Sequence, residues 1–203
     1  MSLKRQREAA LWNTGGICPG DIAFDIDGVV ADTFRVFVNE ARKQYGCEFH
    51  YEQITDYDFL NVLDIEKDVS DRIIAQLLDR PIESGIRPLE GAVEVLTRLS
   101  AAAPLLFVTA RPEQEAIGRW LRGQLPGVDP NRIRLEATTT HQRKLPVLLE
   151  NRVRYFVEDR LETCYFLEEA HIRPIVFRQP WNDRPHPFLS VRDWRELSRL
   201  IAW

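Results

Sequence analysis

The residues best suited to chemistry in this chain are acids and a few polar groups that stand directly after short apolar runs. Asp25 and Asp27 close the run 21–26, Thr109 follows 105–108, and Glu158 and Asp159 follow 153–157. In extended chain, side chains two residues apart start on one face, so Asp25 and Asp27 set out toward the same cleft. Gly28 behind them permits a sharp turn without steric cost. Paired carboxylates can divide nucleophilic attack and proton transfer between them. An Asp-Gly step is also an ordinary turn dipeptide, so the pair takes its weight from the other residues at strand ends.

Those residues need elements to hold them. The runs 21–26, 105–108, 133–135, 153–157 and 174–177 read as short buried strands, and each neighbours a helical pattern. Phe34, Phe37, Val38, Ala41 and Tyr45 form one amphipathic stripe, and Leu89, Ala92, Val93, Leu96 and Leu99 form another. Pro112 suits the first position of a helix that buries Ala116, Ile117, Trp120 and Leu121. Further helices are predicted over 161–167 and 193–201. Alternating strands and helices imply an α/β fold, a three-layer, Rossmann-like parallel sheet covered on both faces. In such sheets ligands bind outside the carboxyl ends of the strands, where these polar residues lie.

About eighty residues separate the first strand from the second, with Ile65, Val69, Ile73 and Leu77 at helical spacing and no convincing core strand. A simple crossover does not need that length. We read 34–86 as a small helical cap inserted after the first strand, 18–33 and 87–203 as the core, and 1–17 as a tail.

Several carboxylates gathered at strand ends repel one another, so a positive charge must sit among them. An all-oxygen donor set without clustered His or Cys favours Mg²⁺ over zinc. Lys144 and Arg111 add positive charge, and Thr109 adds a donor, which together suit a phosphate group. Composition narrows the classes further. With 27 Lys and Arg against 31 Asp and Glu, the net charge is −4, and the chain lacks the basic balance typical of nucleic-acid binders. Lys4, Arg5 and Arg7 read as a solvated terminal cluster. The apolar run 101–108 contains Pro104 and falls well short of the ~20 residues of a membrane span. The first residues turn charged at once, unlike a secretory signal, and Cys18, Cys47 and Cys164 form no C-x-x-C pair, so a cytoplasmic protein without membrane partners is expected.

Taken in order, these elements resemble the motifs of the haloacid dehalogenase superfamily of phosphohydrolases. Phe24-Asp25-Ile26-Asp27-Gly28-Val29-Val30 is similar to its first motif, Leu105-Leu106-Phe107-Val108-Thr109 to its second, Lys144 to its third and Phe156-Val157-Glu158-Asp159 to its fourth. Within it, Asp56-Tyr57-Asp58-Phe59, Thr109-Ala110-Arg111, Glu158-Asp159-Arg160, Gln179-Pro180-Trp181-Asn182 and Asp193-Trp194 resemble the cytosolic 5′(3′)-deoxyribonucleotidase-type branch and its bacterial relatives. The resemblance implies that Asp25 is the nucleophile, becoming an aspartyl phosphate, and that Asp27 is the general acid and later the base. It implies Mg²⁺ held by Asp25, the Asp27 backbone carbonyl and Asp159, with Glu158 acting through a water. Thr109 and Lys144 would hold phosphoryl oxygens, with Arg111 a further substrate contact. Glu158 stands where many members carry Asp, which leaves open which of the pair, Glu158 or Asp159, touches metal.

The expected substrate is a small phosphorylated compound, in first place a nucleoside monophosphate, with a sugar phosphate or phosphoglycolate as the alternative. Phe34, Phe37, Tyr57 and Phe59 in the cap are candidates for an aromatic wall against a base, and Phe34, Phe37 and Phe59 serve equally well as helix packing. Two other classes were weighed. A dehalogenase has no use for the second acid and a metal cage, and a non-catalytic binding module would be expected to have lost Asp25 or Asp27. His50, His141, His171 and His186 are scattered without ligand spacing, and Trp181 and Trp194 are expected to pack rather than bind.

Overall fold

The computed structural model describes residues 15–203, so the basic cluster Lys4, Arg5 and Arg7 and most of the tail lie outside the described residues. Six strands form one parallel sheet: β1 (Ile22–Phe24), β2 (Leu105–Thr109), β3 (Ile133–Ala137), β4 (Tyr155–Glu158), β5 (Arg173–Phe177) and β6 (Leu189–Val191), in spatial order 3-2-1-4-5-6. Phe24 stands in register with Phe107 of β2 and Val157 of β4, which places β1 at the centre. That order reverses direction between β1 and β4, the crevice where open α/β sheets bind ligands.

Seven α-helices accompany the sheet among the described residues: α1 (Thr33–Tyr45), α2 (Lys67–Asp79), α3 (Ala92–Ala102), α4 (Glu115–Gln124), α5 (Lys144–Glu150), α6 (Leu161–Glu169) and α7 (Trp194–Arg199). The alternation of side chains along each strand sorts the core into two layers. Phe24, Phe107 and Val157 point to one face with Leu96 of α3, Trp120 of α4 and Trp194 of α7. Ala23, Leu106, Val108 and Phe156 point to the other with Leu148 of α5 and Leu167 of α6. Trp194 packs at a tilt 5.5 Å from Phe24 and donates its indole N–H to the Val29 carbonyl at 2.8 Å, fastening the loop that follows β1.

Two sequence expectations need correction. The first strand is Ile22–Phe24, shorter than 21–26, because the chain bends at Ile26 within the loop that carries both acids. Pro112 does not start a helix; α4 begins at Glu115, and the intervening residues pass the mouth of a pocket that Arg111 and Pro112 line. The edge strand β6 answers to no sequence expectation, since three residues are too few to show a period.

Between β1 and the return of the chain at Arg87 lie α1, α2 and two single 3₁₀ turns, with Phe37, Val38, Ala41, Ile73 and Leu77 packed together, and α3 follows before β2. The chain leaves and returns side by side. Ala31 bridges Pro88, Asp32 N–H donates to the Arg87 carbonyl at 2.9 Å, and Leu89 N–H donates to Val30 at 2.8 Å. No helix among the described residues is long and apolar enough to cross a membrane.

Candidate active site

Asp25 leaves β1 with its N–H bonded to the Val157 carbonyl of β4 at 2.9 Å, so the backbone ladder itself brings it beside the end of β4. There, oxygens of Asp25, Glu158 and Asp159 all lie within 4.8 Å of one another, and all three residues are buried. Lys144, the first residue of α5, reaches between them with Nζ 2.8 Å from Asp25 Oδ2 and 2.8 Å from Glu158 Oε2. A lysine at a helix start reads as solvated; this one is wholly buried.

The shifts in acidity follow from that geometry. Burial pushes the Asp25 carboxyl up to about 8 despite the opposing charge of Lys144, and Glu158 adds to the rise. Burial together with the charges of Glu158 and Asp25 lifts Asp159 well above its ordinary range. Burial opposes ionisation of Glu158 as well, but the Lys144 charge and hydrogen bond outweigh it and hold Glu158 low. Glu158 is also fully engaged, since Oε1 accepts the N–H groups of Asp159 at 3.2 Å and Arg160 at 3.1 Å. By contrast Asp159 Oδ1 is buried with no partner, while its Oδ2 accepts the indole N–H of Trp181 at 3.1 Å.

Asp27 stands apart from this cluster. Arg111 clamps it bidentately, Nε to Oδ2 at 2.9 Å and Nη2 to Oδ1 at 2.7 Å, and the Thr33 hydroxyl donates to Oδ1 at 2.5 Å. Burial works against the charged form, yet the guanidinium and the hydroxyl prevail and hold the Asp27 carboxyl below its usual value. Arg111, expected as a substrate contact, lines the pocket and gives both of these donors to Asp27. Thr109 is buried at the end of β2, where its Oγ1 accepts the Arg111 N–H at 3.2 Å.

Asp25, Asp27, Thr109 and Arg111 open into one pocket of about 260 Å³. Its far walls are Phe34 and Phe37 of α1, Tyr57 and Phe59 of the segment between α1 and α2, and Leu77 of α2, so all four aromatic candidates reach it. Phe34 lies 6.1 Å from Tyr57 and 6.3 Å from Phe59 in edge-on contacts, and Trp181 backs Phe34 at 4.3 Å.

A family model described as 5′ nucleotidase, deoxy (pyrimidine), cytosolic type C protein matches residues 20–203. The chain belongs to this family. No curated protein matches it. Among solved structures, the HAD-hydrolase YfnB of Bacillus subtilis bound to magnesium is 12% identical with a TM-score of 0.57, covering 91% of this chain and 97% of that one. A haloacid dehalogenase-like hydrolase of Streptococcus pneumoniae is 12% identical at 0.56, covering 92% and 99%. A subfamily IA haloacid dehalogenase-superfamily hydrolase of Geobacter sulfurreducens is 18% identical at 0.54, covering 88% and 97%. At such identities these likenesses show the shared fold. Family membership makes the chain a haloacid dehalogenase-like phosphatase with a small phosphorylated substrate.

For this nucleotidase-family chain the acidic cluster fits a divalent cation. Three carboxylates against one ammonium leave 3 − 1 = 2 negative charges when all are ionised, and Asp159 Oδ1 is a buried acceptor with nothing to accept. Three side chains carry roles that the sequence did not assign them. Trp181, expected only to pack, holds Asp159, and Asn182 Nδ2 bonds the Asp159 carbonyl at 2.7 Å. His141 lines the pocket with its ring edge-on to Tyr57 at 5.6 Å; burial and Lys144 depress it to about 4, so it is neutral at pH 7. Its place three residues before Lys144 was the available signal, because that spacing keeps both on one turn.

Proposed function

We propose that this enzyme hydrolyses deoxyribonucleoside monophosphates through an aspartyl-phosphate intermediate on Asp25. One observation carries the reading: the two carboxylates of the loop after β1 open into a pocket whose opposite wall is a set of aromatic rings. At about 260 Å³ the pocket falls just below the roughly 300–1,000 Å³ common for small-ligand sites, which suits a compact substrate.

Asp25 attacks phosphorus, the bond to the leaving oxygen breaks, and protonated Asp27 gives that oxygen its proton. Asp27, ionised, then takes a proton from water as the water attacks the phosphorus of the aspartyl phosphate, which restores Asp25, releases phosphate and returns Asp27 to its starting state. We assign Lys144 and the Thr109 hydroxyl to the phosphoryl oxygens, and the contact of Lys144 with Asp25 supports a part in orienting the nucleophile. Mg²⁺, held by Asp25, Asp159 and, directly or through water, Glu158, would neutralise charge on the phosphoryl group and the nucleophile. The unpartnered Asp159 Oδ1 supports Asp159 as the direct ligand, and the Asp27 carboxylate is engaged elsewhere, so only its backbone carbonyl is left for metal. We take 34–86 as the cap that closes over the strand ends and excludes water. The family's cytosolic description supports a cytoplasmic enzyme.

A base between the rings gains ~1–3 kcal/mol per stacking contact, which corresponds to a preference of about 10–100-fold. The test is kcat/KM for deoxynucleoside monophosphates against glucose 6-phosphate and phosphoglycolate. Nucleotides should lead, and Tyr57→Ala or Phe59→Ala should narrow the lead. A sugar phosphate or phosphoglycolate ahead in the wild type overturns the nucleotide assignment.

A further inference from the structure

The end of α2 explains a second duty of Arg111. In a continuing helix the Leu77 carbonyl would accept from the N–H of residue 81, but that residue is Pro81 and has none. The last helical closure is Arg80 N–H to the Gln76 carbonyl at 2.9 Å. The carbonyls of Leu77 and Leu78 instead accept from Nη1 of Arg111, at 3.2 and 3.3 Å. A guanidinium there also meets the negative end of the helix dipole. The same group grips both oxygens of Asp27. Four of its five N–H donors are thus spent, two on the helical segment and two on the loop after β1, and its side chain is 2% exposed. Leu77, Leu78 and Asp27 line the same pocket, so this arginine spans the pocket from wall to floor.

We propose that Arg111 is a positioning residue that ties the seating of α2 over the pocket to the placement of Asp27, so that closing the cap and aiming the proton-transfer carboxylate are a single event. It rests on the reading of Asp27 as acid and base. If α2 lifts, either Leu77 and Leu78 lose their donors or Arg111 leaves Asp27. Lysine cannot replace it, because one ammonium cannot make a bidentate grip on a carboxylate and reach two carbonyls as well.

The test uses Arg111→Lys and Asp27→Asn in the full chain. Arg111→Lys should lower kcat for a deoxynucleotide by about 10²-fold, the effect of a small misplacement of a reacting group, while inhibition by inorganic phosphate stays within about twofold. Asp27→Asn leaves Arg111 in place but weakens its anchor. It should speed amide hydrogen exchange in the last turn of α2 by about tenfold or more, the effect of losing a charged hydrogen bond. An arginine that merely capped α2 would not transmit a change at Asp27 to that helix. Unchanged exchange in Asp27→Asn overturns the tie, as does a tenfold loss of phosphate affinity in Arg111→Lys, which would make Arg111 a phosphate ligand. If Asp27→Asn retains full turnover, the acid/base reading fails instead, and the exchange response shows separately whether the tie exists.

Discussion

Replacing Lys144 by methionine keeps the length and apolar stem of the side chain while removing the one ammonium between Asp25 and Glu158. Removing one partner from a buried ion pair typically destabilises by about 3–5 kcal/mol, because the remaining charge is left uncompensated. For a chain of this size each kcal/mol moves the melting temperature by roughly 2–4 °C, so the variant should melt ~6–20 °C lower in chelator. Mg²⁺ should recover part of that loss. With Lys144 gone, the fully ionised cluster carries three negative charges instead of two, so the cation should raise the melting temperature of the variant by more than it raises that of the wild type. A ligand at a hundred times its Kd contributes ~2.7 kcal/mol, enough to see as ~5–11 °C. The assay is thermal unfolding by circular dichroism in chelator and in excess Mg²⁺ for both proteins. A chelator-state loss under about 2 °C would refute the buried bridge, and a smaller Mg²⁺ response in the variant would refute the cluster as the cation site.

Asp25→Asn should leave folding intact and reduce phosphatase turnover by at least ~10³, since the covalent route is lost; steady-state kinetics on p-nitrophenyl phosphate decides it. Chelation should abolish activity and Mg²⁺ restore it, with Ca²⁺ a poor substitute because its coordination is looser. Trp181→Phe removes the donor to Asp159 Oδ2 and should weaken Mg²⁺ affinity by about 10–100-fold, read by calorimetric titration. In metal-free protein the melting temperature should fall as pH rises from ~6.5 to ~8. Asp25 and Asp159 have folded-state values raised above their unfolded ones, so the stability tied to their protonated forms is lost over that rise. His141, depressed to about 4, gives the opposite slope only below its unfolded value near ~6.5. Melting curves in chelator that rise across this window would contradict the assignment, and saturating Mg²⁺ should flatten the slope.

The strand ends were legible because buried parallel strands read as apolar runs, and a polar residue that closes such a run announces its own position. Asp25, Thr109 and Glu158-Asp159 were found in this way, and the order of strands and helices implied the three-layer sheet. The partners of those residues were not legible. Lys144 resembles any lysine at a helix start, and its burial depends on β1 and β4 closing over it. Arg111 meets Asp27 across 84 residues of chain, a distance over which no local pattern carries information. Pro81 was visible and marks the end of α2, yet which group would satisfy the stranded Leu77 carbonyl is decided by tertiary structure alone.

The two cations sort four acids into two environments, and this separation bears on the chemistry more than the motif does. Lys144 sits with Asp25 and Glu158, while Arg111 sits with Asp27. Carboxyl groups two residues apart are thereby driven in opposite directions, Asp25 up to about 8 and Asp27 below its ordinary range. Such divergence ordinarily identifies the proton donor as the raised member and the nucleophile as the lowered one. Taken in protein alone, that rule would exchange the roles proposed for Asp25 and Asp27. A dication held by Asp25 and Asp159 would favour the ionised form of those carboxylates and so free Asp25 to attack, while the Asp27 carboxylate stays paired with Arg111. The proposed roles therefore require the cation to ionise Asp25 as well as to neutralise charge, and they require Asp27 to take up its proton against the pull of Arg111. Metal-free enzyme should then fail at nucleophilic attack, leaving no phosphoenzyme to trap after rapid quench, whereas slow hydrolysis of an accumulated phosphoenzyme would place the defect at Asp27.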